Sequence, residues 1–154
     1  MAQQPPGSGR GSSHPAIPPI TPENEAYWLG GADGELRIRR CQDCRLWVEG
    51  PSPLCPSCLS RELAPETTSG RGTVYTYSVT YNTSYEAFGP GGLSVELPYI
   101  TAIVELDDQP ALRITTNLVG CQPDDVAVGM RVRAVFERSG DLYIPLFEPE
   151  PVAP

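Results

Sequence analysis

Four cysteines in two close pairs are the residues of this chain best placed to do chemistry. Cys41 and Cys44 form one Cys-x-x-Cys motif, and Cys55 and Cys58 form a second after an interval of ten residues. Each motif can turn tightly enough to aim two thiolates at one point, and two facing motifs make the tetrahedral four-sulfur site that zinc prefers. The spacing therefore predicts one structural Zn²⁺ per chain, with no coordination position left for water or substrate.

Two other interpretations of the cysteines remain open. Two disulfides would suit a short secreted scaffold, but a long β-rich segment follows, and nothing at the N-terminus resembles a signal peptide. Iron can occupy the same four-sulfur site. The fifth cysteine, Cys121, is interpreted as a small core residue, and free thiols fit a reducing cytoplasm.

No set of catalytic residues emerges from the sequence. A thiolase-type cysteine nucleophile needs a basic histidine, and the single histidine, His14, lies in a leader rich in Pro, Gly and Ser. The acidic pairs Asp107-Asp108 and Asp124-Asp125 fall in predicted turns, where their side chains suit turn hydrogen bonds better than acid–base catalysis. We therefore predict that the chain is not an enzyme by itself.

Charge and hydropathy exclude further classes of protein. The formal charge is −8 and every Lys or Arg is an arginine, so a nucleic-acid backbone is not the expected partner. No apolar run reaches the ~20 residues that a membrane helix needs. One basic patch is predicted, and it either balances the zinc thiolates and nearby acids or contacts a diphosphate or an acidic partner surface. It consists of Arg37, Arg39, Arg40 and Arg45.

The elements that must position these groups are mainly β. Residues 1–20 are predicted to be a disordered leader or linker. A docking helix follows over 21–31, with Thr21 as its N-cap and Gly30-Gly31 as its stop. Its aromatic residues Tyr27 and Trp28 must pack on the chain's own core or on a partner. A strand over 35–40 then leads into a zinc ribbon over 34–66.

The rest of the pattern predicts a five-stranded barrel of the OB type over 69–148, followed by a tail at 149–154. Its strands are expected at 73–81, 99–106, 111–118, 130–138 and 142–147. A loop spans 82–97, and a short helical turn is expected at 123–125. Tyr75, Tyr77 and Tyr81 share one face of the first strand, either as core residues or as an exposed aromatic binding surface.

An ordered series of short motifs runs along residues 21–147. It consists of Tyr27-Trp28, Gly34-Glu35-Leu36, the two cysteine motifs including Cys55-Pro56-Ser57-Cys58, Gly70-Arg71-Gly72-Thr73-Val74-Tyr75, Pro98-Tyr99 and Gly129-Met130-Arg131-Val132. In this series the chain resembles the acyl-CoA-associated zinc-ribbon/OB-fold proteins, a family long catalogued as a domain of unknown function. It departs from the family in two places: Arg45 stands where the family usually has glycine in a left-handed turn, and the 82–97 loop is longer.

The resemblance implies a rubredoxin-like zinc ribbon and a non-catalytic subunit of a thiolase-superfamily enzyme. The implied complex is a cytoplasmic heterotetramer of two plus two chains, with the acyl-CoA held mainly by the partner. The nearest likeness implies a retro-aldolase, a lyase, in steroid side-chain degradation. Expected contacts with partner or CoA are Tyr27, Trp28, Arg37, Arg39, Arg40 and Arg45. The alternatives are a nucleic-acid-binding module and an iron redox ribbon.

Overall fold

A short helix, a small three-stranded sheet and a five-stranded barrel follow one another in the computed structural model, which describes residues 19–81 and 97–151. Most of the predicted leader with His14, most of the 82–97 loop and the last three residues of the tail lie outside the described residues. Within those two stretches, no helix is long and apolar enough to cross a membrane.

Helix α1 is shorter than the sequence predicted. The Thr21 carbonyl accepts a hydrogen bond from the Glu25 amide at 2.9 Å, so a turn does start there. The helix itself spans Glu25–Leu29 with Asn24 as its N-cap, and a 3-10 turn, Gly30–Asp33, continues it. The α-helix thus ends at the predicted stop, with Gly30 as its C-cap, and the 3-10 turn that follows ends at Gly34, whose φ is 72°.

Gly31 allows the 3-10 turn to pack closely against the barrel. A Cβ at this position would overlap the Cβ of Tyr143 and the ring of Phe136, both on the barrel. Only glycine lets the 3-10 turn approach the barrel this closely. The N-terminal segment therefore docks on the chain's own barrel.

The ribbon sheet contains three antiparallel strands, of which the sequence predicted one. Strand β1 is Arg37–Cys41, β2 is Trp47–Val48 and β3 is Leu63–Thr67, in the order β2-β1-β3. The predicted strand over 35–40 thus begins two residues later and runs into the first cysteine.

The predicted mainly-β fold with a five-stranded OB barrel is confirmed. Its strands are β4 Arg71–Thr80, β5 Tyr99–Leu106, β6 Arg113–Leu118, β7 Arg131–Ser139 and β8 Leu142–Pro149. The barrel order is β4-β5-β6-β8-β7, closed by the antiparallel pair β4–β7 and the parallel pair β6–β8. Strand β8 continues into the predicted tail, and the predicted helical turn is a 3-10 turn at Pro123–Asp125.

Ribbon and barrel share one hydrophobic core. Leu36, Ile38 and Trp47 from the ribbon side belong to the same buried cluster as Val74 and Phe147 of the barrel. A single core fixes the ribbon against the barrel, because separating them would expose apolar surface from both.

Candidate functional site

The two cysteine motifs fold into matching turns. In each turn the amide after the second cysteine donates to the carbonyl of the first, from Arg45 to Cys41 at 3.0 Å and from Leu59 to Cys55 at 2.9 Å. The amide of each first cysteine donates in return to a residue five positions later, at 2.8 Å in both turns. The two halves of the site therefore have the same backbone geometry.

The turns require left-handed backbone at the residue after each second cysteine. Arg45 has a φ of 65° and Leu59 a φ of 61°, which confirms the left-handed turn predicted at Arg45. Both positions favour glycine, because a side chain there crowds the following carbonyl.

The four thiol sulfurs converge on one point. All lie within 4.8 Å of one another, with Cys41 and Cys58 at 3.6 Å and Cys44 and Cys55 at 3.4 Å. A tetrahedral zinc with Zn–S near 2.3 Å places its sulfurs about 3.8 Å apart, so the set fits zinc. All four cysteines are free thiols, which does not support the disulfide interpretation.

Backbone amides favour the thiolate form that zinc needs. The Cys44 amide donates to the Cys41 sulfur and lowers the pKa of that thiol to about 6. The Cys58 amide lowers the pKa of Cys55 in the same way. Hydrogen bonds to a thiolate stabilise the charged form, so the turns favour the thiolate at the first cysteine of each motif. Hydrogen bonds with the other thiols instead raise the pKa values of Cys44 and Cys58.

The predicted basic patch separates into two groups. In the first group, Arg37 pairs with Asp33 at 2.6 Å and with Glu35 at 2.7 Å. Arg39 donates instead to the main-chain carbonyls of Gly50 and Ser52, at 2.9 and 2.6 Å. These two arginines alternate along β1 with Ile38 and Arg40, which places them on one side of the strand.

The second group surrounds one carboxylate. Arg40 and Arg45 approach Glu66 of β3 at 3.3 and 2.9 Å, and the Arg40 guanidinium lies 4.8 Å from the Trp47 ring centre. Gln42, Arg45 and Arg40 together lower the pKa of Glu66. Local acids thus already balance much of the predicted patch, which was one of the two interpretations that the sequence left open.

The aromatic pair of α1 faces the chain itself. The rings of Tyr27 and Trp28 meet edge to face with centroids 4.9 Å apart, and Tyr27 packs against the shared core. Burial raises the pKa of the Tyr27 hydroxyl. Docking on the chain's own core, one of the two options from the sequence, is what the structure shows for Tyr27.

The sequence did not reveal a cavity of about 390 Å³ between α1, the ribbon sheet and β6. Four of the six predicted contact residues line it, namely Tyr27, Trp28, Arg37 and Arg39. No local pattern could have predicted it, because its walls come from segments up to about ninety residues apart. The remaining lining residues are Glu23, Asn24, Ala26, Ile38, Val48, Glu49, Gly50, Pro51, Pro65, Ile114 and Thr115.

The predicted common face of three barrel tyrosines does not form. A β-bulge between Val74 and Thr76 shifts the alternation, so Tyr75 is exposed while Tyr77 packs against the core. The Arg113 guanidinium covers the exposed Tyr75 ring at 3.6 Å. The bulge was not predictable from the even spacing of the tyrosines.

Cys121 and the acidic pair Asp107-Asp108 are held in packing contacts, ion pairs or hydrogen bonds within the chain. Cys121 packs against the core as predicted, and burial raises the pKa of its thiol. Asp107 forms a two-point ion pair with Arg131, and Asp108 accepts two hydrogen bonds from Ser69. Residues 19–81 and 97–151 contain no histidine, so neither acids nor thiols of this part have an imidazole base.

A four-cysteine ribbon followed by a closed OB barrel defines a class of zinc-ribbon/OB-fold proteins. Residues 28–64 match the family described as ChsH2, rubredoxin-like zinc ribbon domain, and residues 66–137 match the one described as ChsH2, C-terminal OB-fold domain. The chain belongs to the ChsH2 (DUF35) zinc-ribbon/OB-fold family, and its cysteines form the zinc-ribbon site.

Relatives in this family carry two kinds of name. A probable enoyl-CoA hydratase alpha subunit of Thermomonospora curvata is 36% identical over 85% of this chain. The 3-oxo-4,17-pregnadiene-20-carboxyl-CoA hydratase alpha subunit of Mycobacterium tuberculosis is 32% identical over 80%. A DUF35 domain-containing scaffold protein of Methanocaldococcus jannaschii is 38% identical over 64%. The chain spans 39%, 37% and 65% of these three proteins, respectively.

One solved structure is similar over almost its whole length. A chain of the Ltp2-ChsH2(DUF35) aldolase superposes with a TM-score of 0.72 at 33% identity, covering 86% of this chain and 98% of that one. This chain is therefore similar in fold and in sequence to a chain of that aldolase.

Proposed function

We propose that this chain is a non-catalytic accessory subunit of a thiolase-superfamily enzyme that acts on acyl-CoA thioesters. The observation that carries the proposal is the similarity to the ChsH2(DUF35) chain of an aldolase over nearly that chain's full length. The named hydratase subunits add CoA thioesters as the substrate class. The described residues supply a metal site closed by four cysteines, which suits a structural role.

The finer proposal is a retro-aldolase complex in the cytoplasm, working on steroid side chains as CoA thioesters. It rests on the aldolase likeness and on the pregnadiene-carboxyl-CoA hydratase relative. In this arrangement two copies of the chain join two copies of the partner, which binds the thioester and cleaves the carbon–carbon bond. The docking helix (21–31), the ribbon (34–66) and the barrel (69–148) are the proposed functional units.

The proposed contact surface is the ribbon face around Glu66 together with α1. Arg45 is exposed there, with 47% of its side chain accessible, and Leu29 of α1 is also exposed. A partner carboxylate or a CoA phosphate would compete with Glu66 for Arg40 and Arg45. Tyr27, Trp28, Arg37 and Arg39 remain proposed contacts, reached through the cavity between α1 and the ribbon.

Co-expression with a thiolase-superfamily protein from the same organism tests the proposal. We expect both chains to elute together in size-exclusion chromatography at the mass of a two-plus-two complex. Arg45→Ala should weaken the complex several-fold, whereas Arg61→Ala, an exposed arginine of the same ribbon, should not. Separate elution of the two wild-type chains would contradict the proposal, and a salt-sensitive shift of single-stranded DNA would favour the nucleic-acid alternative.

A further inference from the structure

The outer half of β4 leaves one strand edge free. On one side β4 pairs with β5 along nearly its whole length. On the other side β7 pairs only with residues 71–73, and Val74 makes the last main-chain hydrogen bonds there, with Met130 and Gly129. From 76 to 80 this second side has no main-chain partner among the described residues, and we call it the free edge of β4. An unpaired strand edge is a template on which another strand can be added.

Two residues turn their main-chain groups outwards along the free edge. The Leu106 amide of β5 donates on the β6 side, at 2.9 Å. Main-chain direction repeats at every second residue of a strand, so Ala102 and Ile100 also point towards β6. Their partners on β4 are Tyr77 and Val79, which therefore turn their N–H and C=O groups away from β5. The free edge thus offers donors and acceptors that a second strand could use.

The free edge lacks the charges and prolines with which proteins commonly protect exposed edges. After its first residue, β4 carries no charged side chain and no proline. Three of the seven exposed large hydrophobic side chains among the described residues border this edge, namely Tyr75, Tyr81 and Val128. Val128 lies beside it because the Gly129 amide donates to the Val74 carbonyl at 2.8 Å. An uncharged edge with apolar neighbours favours pairing with another strand.

The sequence of the free edge is nearly the same in both directions from Ser78. Two antiparallel copies centred on this residue set threonine against threonine, tyrosine against valine and, at the ends, tyrosine against tyrosine. Threonine pairs and pairs of an aromatic with a β-branched residue stabilise neighbouring strands. The pairs are Thr76 with Thr80, Tyr77 with Val79, and Tyr75 with Tyr81. The edge is therefore complementary to a second copy of itself.

We propose that two copies of this chain join through the free edges of their β4 strands, antiparallel about a two-fold axis at Ser78. Tyr77 of each copy exchanges both main-chain hydrogen bonds with Val79 of the other copy, because these are the groups that point outwards. The two barrel sheets then continue into one another. The contact does not depend on the thiolase-like subunit proposed above, because both strands belong to copies of this chain.

Sedimentation of the zinc-loaded full chain measures this association. We expect a concentration-dependent species of about twice the 16.7 kDa of one chain. Ser78→Lys places two ammonium groups opposite each other at the axis and should weaken the dimer at least about tenfold. The chain has a formal charge of −8, so an added lysine lowers the overall repulsion between copies. Thr115→Lys, the same type of change at an exposed position of β6, should therefore not weaken the dimer. A monomer at every concentration, or equal weakening by both lysines, would overturn the proposal.

Hydrogen exchange locates the contact at single residues. The amides of Tyr77 and Val79 should exchange fast in dilute protein and slowly as the concentration rises, whereas the Ser78 amide, which points to β5, should be protected throughout. In Ser78→Lys the Tyr77 and Val79 amides should stay fast at the highest concentration. Protection of these two amides that does not change with concentration would mean that another part of the chain covers the edge. That result, or a dimer in which they remain unprotected, would overturn the proposal.

Discussion

At the scale of single residues, the zinc ribbon accepts backbone strain at two equivalent positions. Arg45 and Leu59 both hold left-handed backbone directly after a metal ligand. Left-handed geometry costs a residue with a side chain about 1–2 kcal/mol. Leu59 is in addition 69% exposed, so its side chain gains little from burial in return.

Replacing each of these residues by glycine should separate strain from contacts. Leu59→Gly should raise the free energy of unfolding by about 0.5–1 kcal/mol, because the relieved strain exceeds the added freedom of the unfolded chain. Arg45→Gly should gain less, since it also loses hydrogen bonds to Glu66 and Gln42. Denaturant unfolding of the zinc-loaded variants measures both changes in the free energy of unfolding. A Leu59→Gly variant less stable than the wild type would contradict backbone strain at this position.

Asp107 should give the chain a component of acid sensitivity. Its hydrogen bonds to Arg131 lower the pKa of the carboxyl below its usual value near 3.8. The pair therefore contributes its full stability above that usual pKa and loses it as the pH falls through the lowered one. Urea unfolding between pH 6 and about pH 3 would measure the free energy of unfolding of the wild type and of Asp107→Asn. The difference between the two proteins should become smaller as the pH falls. A difference that does not change with pH would contradict a stabilising role of this ion pair.

At the scale of elements, one side chain links the ribbon to the barrel by making the main-chain hydrogen bonds that a neighbouring strand would make. Gln109, in the turn between β5 and β6, accepts from the Trp47 amide at 2.9 Å and donates to the Trp47 carbonyl at 3.4 Å. The amide group thus occupies the free edge of β2. The turn residue holds a two-residue strand that could not be stable alone.

Gln109→Ala should cost about 1–2 kcal/mol of stability, because the Trp47 amide is then left without this partner. Gln42→Ala provides the control, since among the described residues the Gln42 side chain bonds only within the ribbon, to the Arg40 carbonyl, Glu66 and Arg45. Hydrogen exchange should show faster exchange at β2 in the Gln109 variant only. Unchanged exchange there would mean that the shared core alone holds the ribbon.

At the scale of the whole molecule, the shared core makes the metal site part of the barrel's stability. Cys41 ends β1, the strand that contributes Ile38 to the core. Loss of the metal would release this strand, and the apolar contacts of Leu36 and Trp47 with the barrel would be lost with it. Bound zinc would then stabilise the shared core as well as the ribbon.

Cys41→Ser should therefore lower the stability of the barrel as well as that of the ribbon. We expect loss of zinc and a decrease of several kcal/mol in the free energy of unfolding. Cys121→Ser, which removes a thiol outside the metal site, should keep zinc and change stability by much less. Atomic absorption measures the zinc content, and hydrogen exchange of the barrel amides measures the stability of the barrel. Barrel amides that exchange at the wild-type rate in the zinc-free variant would contradict a shared core.

Much of the fold follows from local sequence pattern. The cysteine spacing predicted the ribbon, and strict alternation predicted β5 to the residue, Tyr99–Leu106, with every second side chain buried. Strands β2 and β3 were missed because one has two residues and the other contains Pro65; both are held by pairing with β1.

The candidate site was less predictable than the fold. Its zinc ligands follow from spacing, but the cavity joins α1 to a barrel strand far along the chain. The arginine patch divided because successive side chains of a strand point to opposite faces. Contacts distant in sequence decide these features, and a single sequence carries no local signal for them.

Reconstituted turnover is the most direct test of the central claim that this chain supports catalysis without performing it. Carbon–carbon bond cleavage of an acyl-CoA thioester would be measured with the zinc-loaded chain alone, the thiolase-superfamily partner alone and the two together. We predict no turnover by the chain alone and a rate for the pair well above that of the partner alone. Turnover by the isolated chain, or a partner rate unaffected by its addition, would contradict the account.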